Sequence, residues 1–405
     1  MQILVLDSIH GGTEIGGAFR SAGHTVDIID VYRGTTPDLL AAAGSRAYNL
    51  VVAPVHLDPD HPLLMHATGP VISHHEAVRQ LLPGLLPSPM VEITGARGKT
   101  TTAHALAHIL GGTGILHAST GTLSFPSRTL LWKRSITPAS VLPAVAESGH
   151  TGGWLIAEES LGVTGAGDLA IMTSPEDYRF AGGKKSAVAA KTASAARAKR
   201  VLVADGVPCN HENFVAVSDL VRCSHGECTV DGDDGEYTIS TPLLSILPYR
   251  MPLMLAAAAA VLLDRDPSPL ESFAALPGRM VVSREGDVVI VDNANSGTNI
   301  ETTVYACRYA RRIATGDDLT LVIGQAEGDG AVCEGFMPDQ VARTIVTVNP
   351  SRVVWVGKLP GTDDPAFQSI RERIDAVCPT LDAGRDAARD LTQNGAIVLA
   401  VKTWR

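Results

Sequence analysis

Short apolar runs alternating with helix-period segments set out the chain. Residues 3–6, 25–31 and 50–55 read as buried strands, with helices expected over 14–22 and 37–43 between them. Regular strand–helix spacing predicts a parallel sheet, whose ligands gather beyond the strand C-termini. The stretch 81–89, broken by prolines and a glycine, reads as a linker. A further strand at 91–94 runs into a glycine turn and an alanine-rich helical pattern over 103–110. Residues 154–157 and 169–172 read as buried strands, followed by a helix carrying Lys184, Lys185, Lys191, Arg197, Lys199 and Arg200. Short strands over 203–239, a helix over 253–263 and a linker at 264–269 come next. Strands at 288–291, 319–323, 353–356 and 397–401 predict a second α/β sheet. The expected division is a small N-terminal α/β domain at 1–88, a central domain at 89–266 and a C-terminal α/β domain at 267–405.

Composition narrows this framework. The 405 residues are 45% hydrophobic and only 4% aromatic, with 39 glycines, as in an α/β protein with a sizeable core. A formal net charge of −10 argues against general nucleic-acid binding and against attachment to an anionic membrane. The alanine-rich run at 253–263 is too short to cross a bilayer. No secretory leader is apparent, and six cysteines without a framework spacing fit a reducing cytoplasm.

The densest chemistry lies at Thr94-Gly95-Ala96-Arg97-Gly98-Lys99-Thr100-Thr101-Thr102. Strand, glycine turn and helix N-terminus in that order make a phosphate cradle. Backbone N–H groups and the helix dipole favour an anion, Lys99 adds a point charge, and a threonine hydroxyl is a ligand for Mg²⁺. The position of Ile93 breaks the full G-x-x-x-x-G-K-[ST] pattern and leaves the shorter T-G-x-x-G-K-T-T. Arg97, inside the cradle, reads equally as a phosphate or carboxylate contact and as a solvent-facing charge. Glu158 and Glu159 close the strand at 154–157; a strand-end carboxylate beside a phosphate cradle suits Mg²⁺, against the plainer reading of a solvated loop. Thr137, before Pro138, reads as a helix N-cap or as a group facing metal or substrate.

Seven of the thirteen histidines fall before residue 76. They read either as loop residues bridging polar groups or as the wall of a pocket for a metal-bearing or polyanionic substrate. His10, with Gly11 and Gly12 after the first strand, is the best-placed member. No H-x₃₋₅-H pair falls convincingly on a predicted helix, and no metal site is predicted there. Cys209, His211, Cys223, His225 and Cys228 make zinc conceivable without a matched pair of C-x₂₋₄-C elements.

With these residues in view, the chain resembles the Mur ligase superfamily of three-domain ATP-dependent ligases over nearly its whole length. The likeness rests first on Thr94, Gly95, Gly98, Lys99, Thr100 and Thr101. It implies ATP and Mg²⁺ as cofactors, with Thr100 and Glu158 on the metal. It implies that Lys191 is the lysine often carbamylated to hold a second Mg²⁺. It also implies that Arg279 of Gly278-Arg279 reaches ATP phosphates and that Asp292 holds the ribose. The superfamily's Asp-His pair is here Asp177-Tyr178, and its asparagine-rich helix start is Pro248-Tyr249-Arg250-Met251-Pro252-Leu253-Met254, so adenine recognition must differ. Three stretches, 6–12, 94–102 and 165–186, are similar to the branch serving coenzyme F-430 in methanogenic archaea. That branch implies activation of a propionate on a nickel tetrapyrrole and closure of its final carbocyclic ring. An amide ligase adding an amino acid, and a nucleotide-gated nickel or tetrapyrrole carrier, remain the alternatives.

Overall fold

The leading apolar runs pair as a four-stranded parallel sheet in the order Thr25–Ile29, Gln2–Leu6, Leu50–Ala53, Val71–Ser73. The helix Gly12–Ser21 lays Ile15 and Phe19 into the core beside Ile3, Val5 and Val52. The structure is a computed structural model and describes residues 1–32, 37–208, 211–224, 226–326, 336–359 and 365–403. The described residues fall into two compact units, Met1–Phe273 and Ala274–Arg405.

The first unit contains a second, eight-stranded sheet. Its order is Phe214–Ala216, Arg200–Val203, Leu169–Met172, Met90–Thr94, Trp154–Glu158, Gly114–Ala118, Gly121–Phe125 and Thr129–Trp132. The first six strands are parallel and the last two form an antiparallel edge. Met90–Thr94 is central and buried at every residue, as its unbroken apolar run requires of a strand covered on both faces. One apolar cluster joins the two sheets: Ile3, Val5, Val52 and Val78 pack with Met90, Ile115, Val141 and Leu155.

Three expected elements differ in extent. The helix bearing Lys191 covers only Ala187–Ala195, because Ser186 caps its start and the carboxylate of Asp177 accepts from Ser186 Oγ and Val188 N. Lys185 therefore lies in the short Arg179–Phe180/Lys185–Ser186 hairpin and Lys184 in its turn, while Arg197 and Lys199 follow the helix and Arg200 opens the next strand. The alanine-rich helix begins earlier than expected, at Leu247, with Pro248 in the first turn where no N–H partner is needed. The chain reaches Phe273 before leaving the first unit: His108 Nε2 lies 3.0 Å from Pro269 O and its ring meets that of Phe273.

In the second unit, Val281–Glu285 runs antiparallel to Val288–Asp292. That strand is followed in a parallel array by Gly395–Lys402, Leu319–Gln325, Arg352–Val356 and Ala376–Cys378. Val288, Ile290, Val322, Val354, Ile397 and Leu399 fill its core.

Candidate nucleotide and metal sites

The turn after Met90–Thr94 is built by its two glycines. Gly95 has φ +150° and Gly98 φ +85°, and a Cβ on Gly95 would stand 2.1 Å from Thr173 Oγ1. Only glycine fits there. Gly98 leads into the helix Lys99–Leu110, whose N-terminus faces the turn. The neighbouring strand on one side, Leu169–Met172, supplies Thr173 and Ser174. Ser174 Oγ accepts from Ala96 N (2.9 Å) and Arg97 N (3.3 Å), while Thr173 Oγ1 donates to Arg97 O at 2.6 Å. The neighbour on the other side, Trp154–Glu158, supplies Glu158. Thr100 Oγ1 donates to its carboxylate at 2.9 and 3.1 Å, and Ser119 N donates to it at 3.0 Å. Lys99 Nζ stands 3.9 Å from Glu158 Oε1 and donates to Gly95 O at 3.1 Å. Thr94 and Thr101 are buried in the same turn. Sequence reasoning missed Ser119, Thr173 and Ser174; their signal is a hydroxyl just past a strand end. Arg97 forms an ion pair with Glu176. Thr137 faces neither metal ligand nor cradle among these contacts: its Oγ1 lies 3.3 Å from Ser140 Oγ, beside Gly11.

The two glutamates part company. Successive side chains of a strand point to opposite faces, so Glu158 faces Thr100 while Glu159 is driven into the interior. There Glu159 is fully buried, and burial, followed by the charge of Glu92, raises its carboxyl well above the ordinary range. Glu92 accepts from Thr164 N, Gly165 N and Gly167 N at 2.9, 3.2 and 2.9 Å, and from Thr164 Oγ1. Glu159 thus faces Glu92, on the side away from Thr100.

Lys191 is 1% exposed and, among the described residues, its Nζ has no hydrogen-bond partner. The amine lies 5.0 Å from the centre of the Tyr178 ring. Burial, then the nearby charge of Lys99, lowers its pKa to about 8. Thr100 and Glu158 present hard oxygen donors suited to a divalent cation such as Mg²⁺. The bare amine of Lys191 is no such donor, whereas a carbamate formed on it would be.

At the other sheet, the histidines divide. His61 caps a short helix, His74 Nε2 is 3.1 Å from Leu6 O, and His75 Nε2 is 3.1 Å from Ser160 O. These three are structural. His10 and His56 instead gather with Asp7, their ligand-capable atoms all within 4.8 Å of one another. No metal site was expected there, because the three residues come from the ends of two different strands. Burial lowers the pKa of His56 to about 4. The zinc reading of the cysteine segment fails in its core: Cys223 and Cys228 face each other across two antiparallel strands and form a disulfide. Cys209 and His225 lie outside the described residues, and His211 rests against Phe214.

Arg279 and Asp292 lie in the second unit. Gly278 has φ +68° and its carbonyl accepts from Asn295 Nδ2 at 2.7 Å, which ties the Gly278-Arg279 turn to the loop after Val288–Asp292. Asp292 Oδ1 accepts from Ala294 N at 3.1 Å.

The fold has solved counterparts. E. coli FolC in complex with ADP superposes with a TM-score of 0.59 at 14% identity, covering 91% of this chain and 94% of that one. MurF from Acinetobacter baumannii superposes with a TM-score of 0.53 at 13% identity, covering 89% of each. The architecture is that of the Mur-type ligases. Sequence then goes further. Residues 282–403 match the family described as "Coenzyme F430 synthetase CfbE, C-terminal domain". The coenzyme F(430) synthetase of Methanosarcina acetivorans is 32% identical over 409 aligned positions, covering 84% of this chain and 86% of that protein. The chain belongs to the coenzyme F430 synthetase family.

Proposed function

We propose that this chain is an ATP-dependent ligase that activates a carboxylate of a nickel-bearing tetrapyrrole and closes a carbocyclic ring on it, releasing ADP and phosphate. The observation that carries the reading is the convergence of Lys99, Thr100 and Glu158 at a glycine cradle in a member of this family. ATP phosphates occupy the cradle, held by the N–H groups at the helix start and by the Lys99 ammonium. Thr100 and Glu158 would hold Mg²⁺, which would neutralise charge on the phosphate oxygens.

The substrate carboxylate attacks the γ-phosphorus and displaces ADP, forming an acyl phosphate. A carboxylate is a poor electrophile, and phosphorylation supplies the leaving group. A substrate carbon that has given up its proton then attacks the acyl carbon, and phosphate departs with the C–O electron pair. The organic product has lost one water. A carbamate on Lys191 would hold a second Mg²⁺; its buried, unpartnered amine supports this. For Arg279 on the ATP phosphates and Asp292 on the ribose, the support is the resemblance of their motifs. Such a reaction belongs in the cytoplasm, where ATP is supplied.

Purified protein incubated with ATP and a nickel seco-tetrapyrrole acid tests the reading. Stoichiometric ADP and phosphate, with a product lighter by one water, is the expected result. ADP formation with unaltered tetrapyrrole would point to a nucleotide-gated carrier, and a requirement for an incorporated amino acid would point to an amide ligase.

A further inference from the structure

The four-stranded sheet has a topological switch point. From Gln2–Leu6 the chain moves to one side, to Thr25–Ile29, and then crosses to the other, to Leu50–Ala53. Helical connections leaving opposite faces open a crevice between the C-terminal ends of Gln2–Leu6 and Leu50–Ala53, the preferred ligand position of such sheets. Asp7 and His10 follow the first of these strands and His56 the second. The cluster therefore lies at the crevice mouth.

Its members are held in place from several directions. Asp7 is fully buried at φ +86°, and its carboxylate accepts from Ile9 N at 2.7 Å and His10 N at 3.0 Å. His10 Nδ1 lies 2.7 Å from Asp7 Oδ2, the carboxylate–imidazole arrangement that orients metal-binding histidines. The Tyr32 ring stacks on His56 at an interplanar angle of 20° and meets His10 edge-on. Lys185 Nζ donates to Val55 O at 2.8 Å and to Leu57 O at 3.3 Å, fixing the backbone on both sides of His56. Yet His56 Nε2 is sealed from solvent and has no hydrogen-bond partner among the described residues. Unlike the other orphaned ring nitrogens, it belongs to a group of ligand-capable atoms within 4.8 Å of one another, where a bound ion would satisfy it.

We propose that His10 and His56, with Asp7 orienting His10, form a binding site for a divalent transition-metal centre. Two imidazoles, one backed by a carboxylate, suit the later first-row divalent ions, nickel included. The same chemistry has two sources: an aqueous ion, or the metal of a planar macrocycle that retains an open axial position. The second source rests on the substrate reading above; the first stands on these residues alone.

The test uses the untagged full chain, stripped with chelator and kept free of ATP. It is titrated by calorimetry and absorption with nickel chloride, with a water-soluble nickel(II) porphyrin bearing carboxylates, and with the metal-free form of that porphyrin. Wild type binds at one equivalent, and His56→Ala and the half-exposed His10→Ala each weaken binding about tenfold or more. The exposed His66→Ala serves as a control and binds as wild type. Melting curves of the variants establish that they are folded. Affinity for nickel chloride identifies the aqueous ion; preference for the nickel over the metal-free porphyrin identifies a macrocycle metal. The proposal is overturned if wild type binds neither nickel probe, or if folded His56→Ala and His10→Ala both bind as wild type does. Because no ATP is present, failure here leaves the carboxylate-activating reading standing. Conversely, absence of ATP-dependent ligation leaves a measured nickel site intact.

Discussion

Thr100 Oγ1 lies 2.9 Å from one oxygen of the Glu158 carboxylate and 3.1 Å from the other. Strand register explains the meeting: Ile93 pairs with Glu158, so the turn after one strand and the last residue of its neighbour end at the same height. A hydroxyl and a carboxylate so placed offer two hard oxygens to one cation beside the Lys99 ammonium. Thr100→Val preserves side-chain volume and removes the hydroxyl. Initial rates of ADP release should fall about 100-fold or more, while Thr100→Ser retains most activity. Lys99→Ala should abolish phosphoryl transfer without altering the circular dichroism spectrum, because Lys99 packs at an open turn rather than in the core. Full turnover in either Lys99→Ala or Thr100→Val would remove this cradle as the reaction centre.

Lys191 gives a prediction with a pH sign. Its pKa of about 8 lies below the usual lysine value, so the free amine that attacks carbon dioxide grows as pH rises toward and past that value. With ¹³C-bicarbonate, a carbamate resonance should appear near pH 8, weaken about tenfold for each unit below it, and vanish in Lys191→Ala. That variant should lose turnover and regain part of it with short-chain carboxylates. An unmodified lysine together with undiminished turnover in Lys191→Ala would make the residue structural.

The Glu92–Glu159 pair couples stability to pH in the opposite direction from an exposed carboxylate. A raised folded-state pKa means the folded chain keeps a proton that the unfolded chain has released. The associated stability is present below the ordinary glutamic acid pKa and is lost as pH rises through the folded value. Glu159→Gln should therefore exceed wild type in urea denaturation at about pH 8, with the gap closing toward about pH 5. A gap independent of pH would show that Glu159 is not protonated in the fold. Glu92→Ala should cost about 3 kcal/mol or more, since it orphans three backbone N–H donors in the interior.

Gly11 packs the histidine-bearing turn against the Pro138–Ser140 turn. Its φ is +97°, and a Cβ would stand 2.5 Å from Ala139 Cβ. Gly11→Ala should lower stability by about 2 kcal/mol, through left-handed backbone strain and the clash together. Chemical denaturation measures it; a loss within error would mean that the Pro138–Ser140 turn shifts freely.

Much of this molecule was legible from local pattern. The cradle at 94–102 is contiguous, its glycines answer to backbone geometry, and strand-then-helix periodicity brackets it; the sequence alone determines that a glycine turn joins this strand to this helix. Glu158 was legible because a carboxylate closing an apolar run must emerge at a strand's C-terminal end. Its neighbour Glu159 was not separable from it by spacing, since only the alternation of the actual strand turns one toward Thr100 and the other toward Glu92. Ser119, Thr173 and Ser174 carry no motif; strand order sets them against the turn. The same is true of Asp7, His10 and His56, which lie on separate strand ends and converge because the chain crosses over at the switch point. Residues near in sequence are constrained by backbone stereochemistry that any window of the chain reveals. Residues brought together across a parallel sheet are constrained by register and crossover, which exist only once the core has closed.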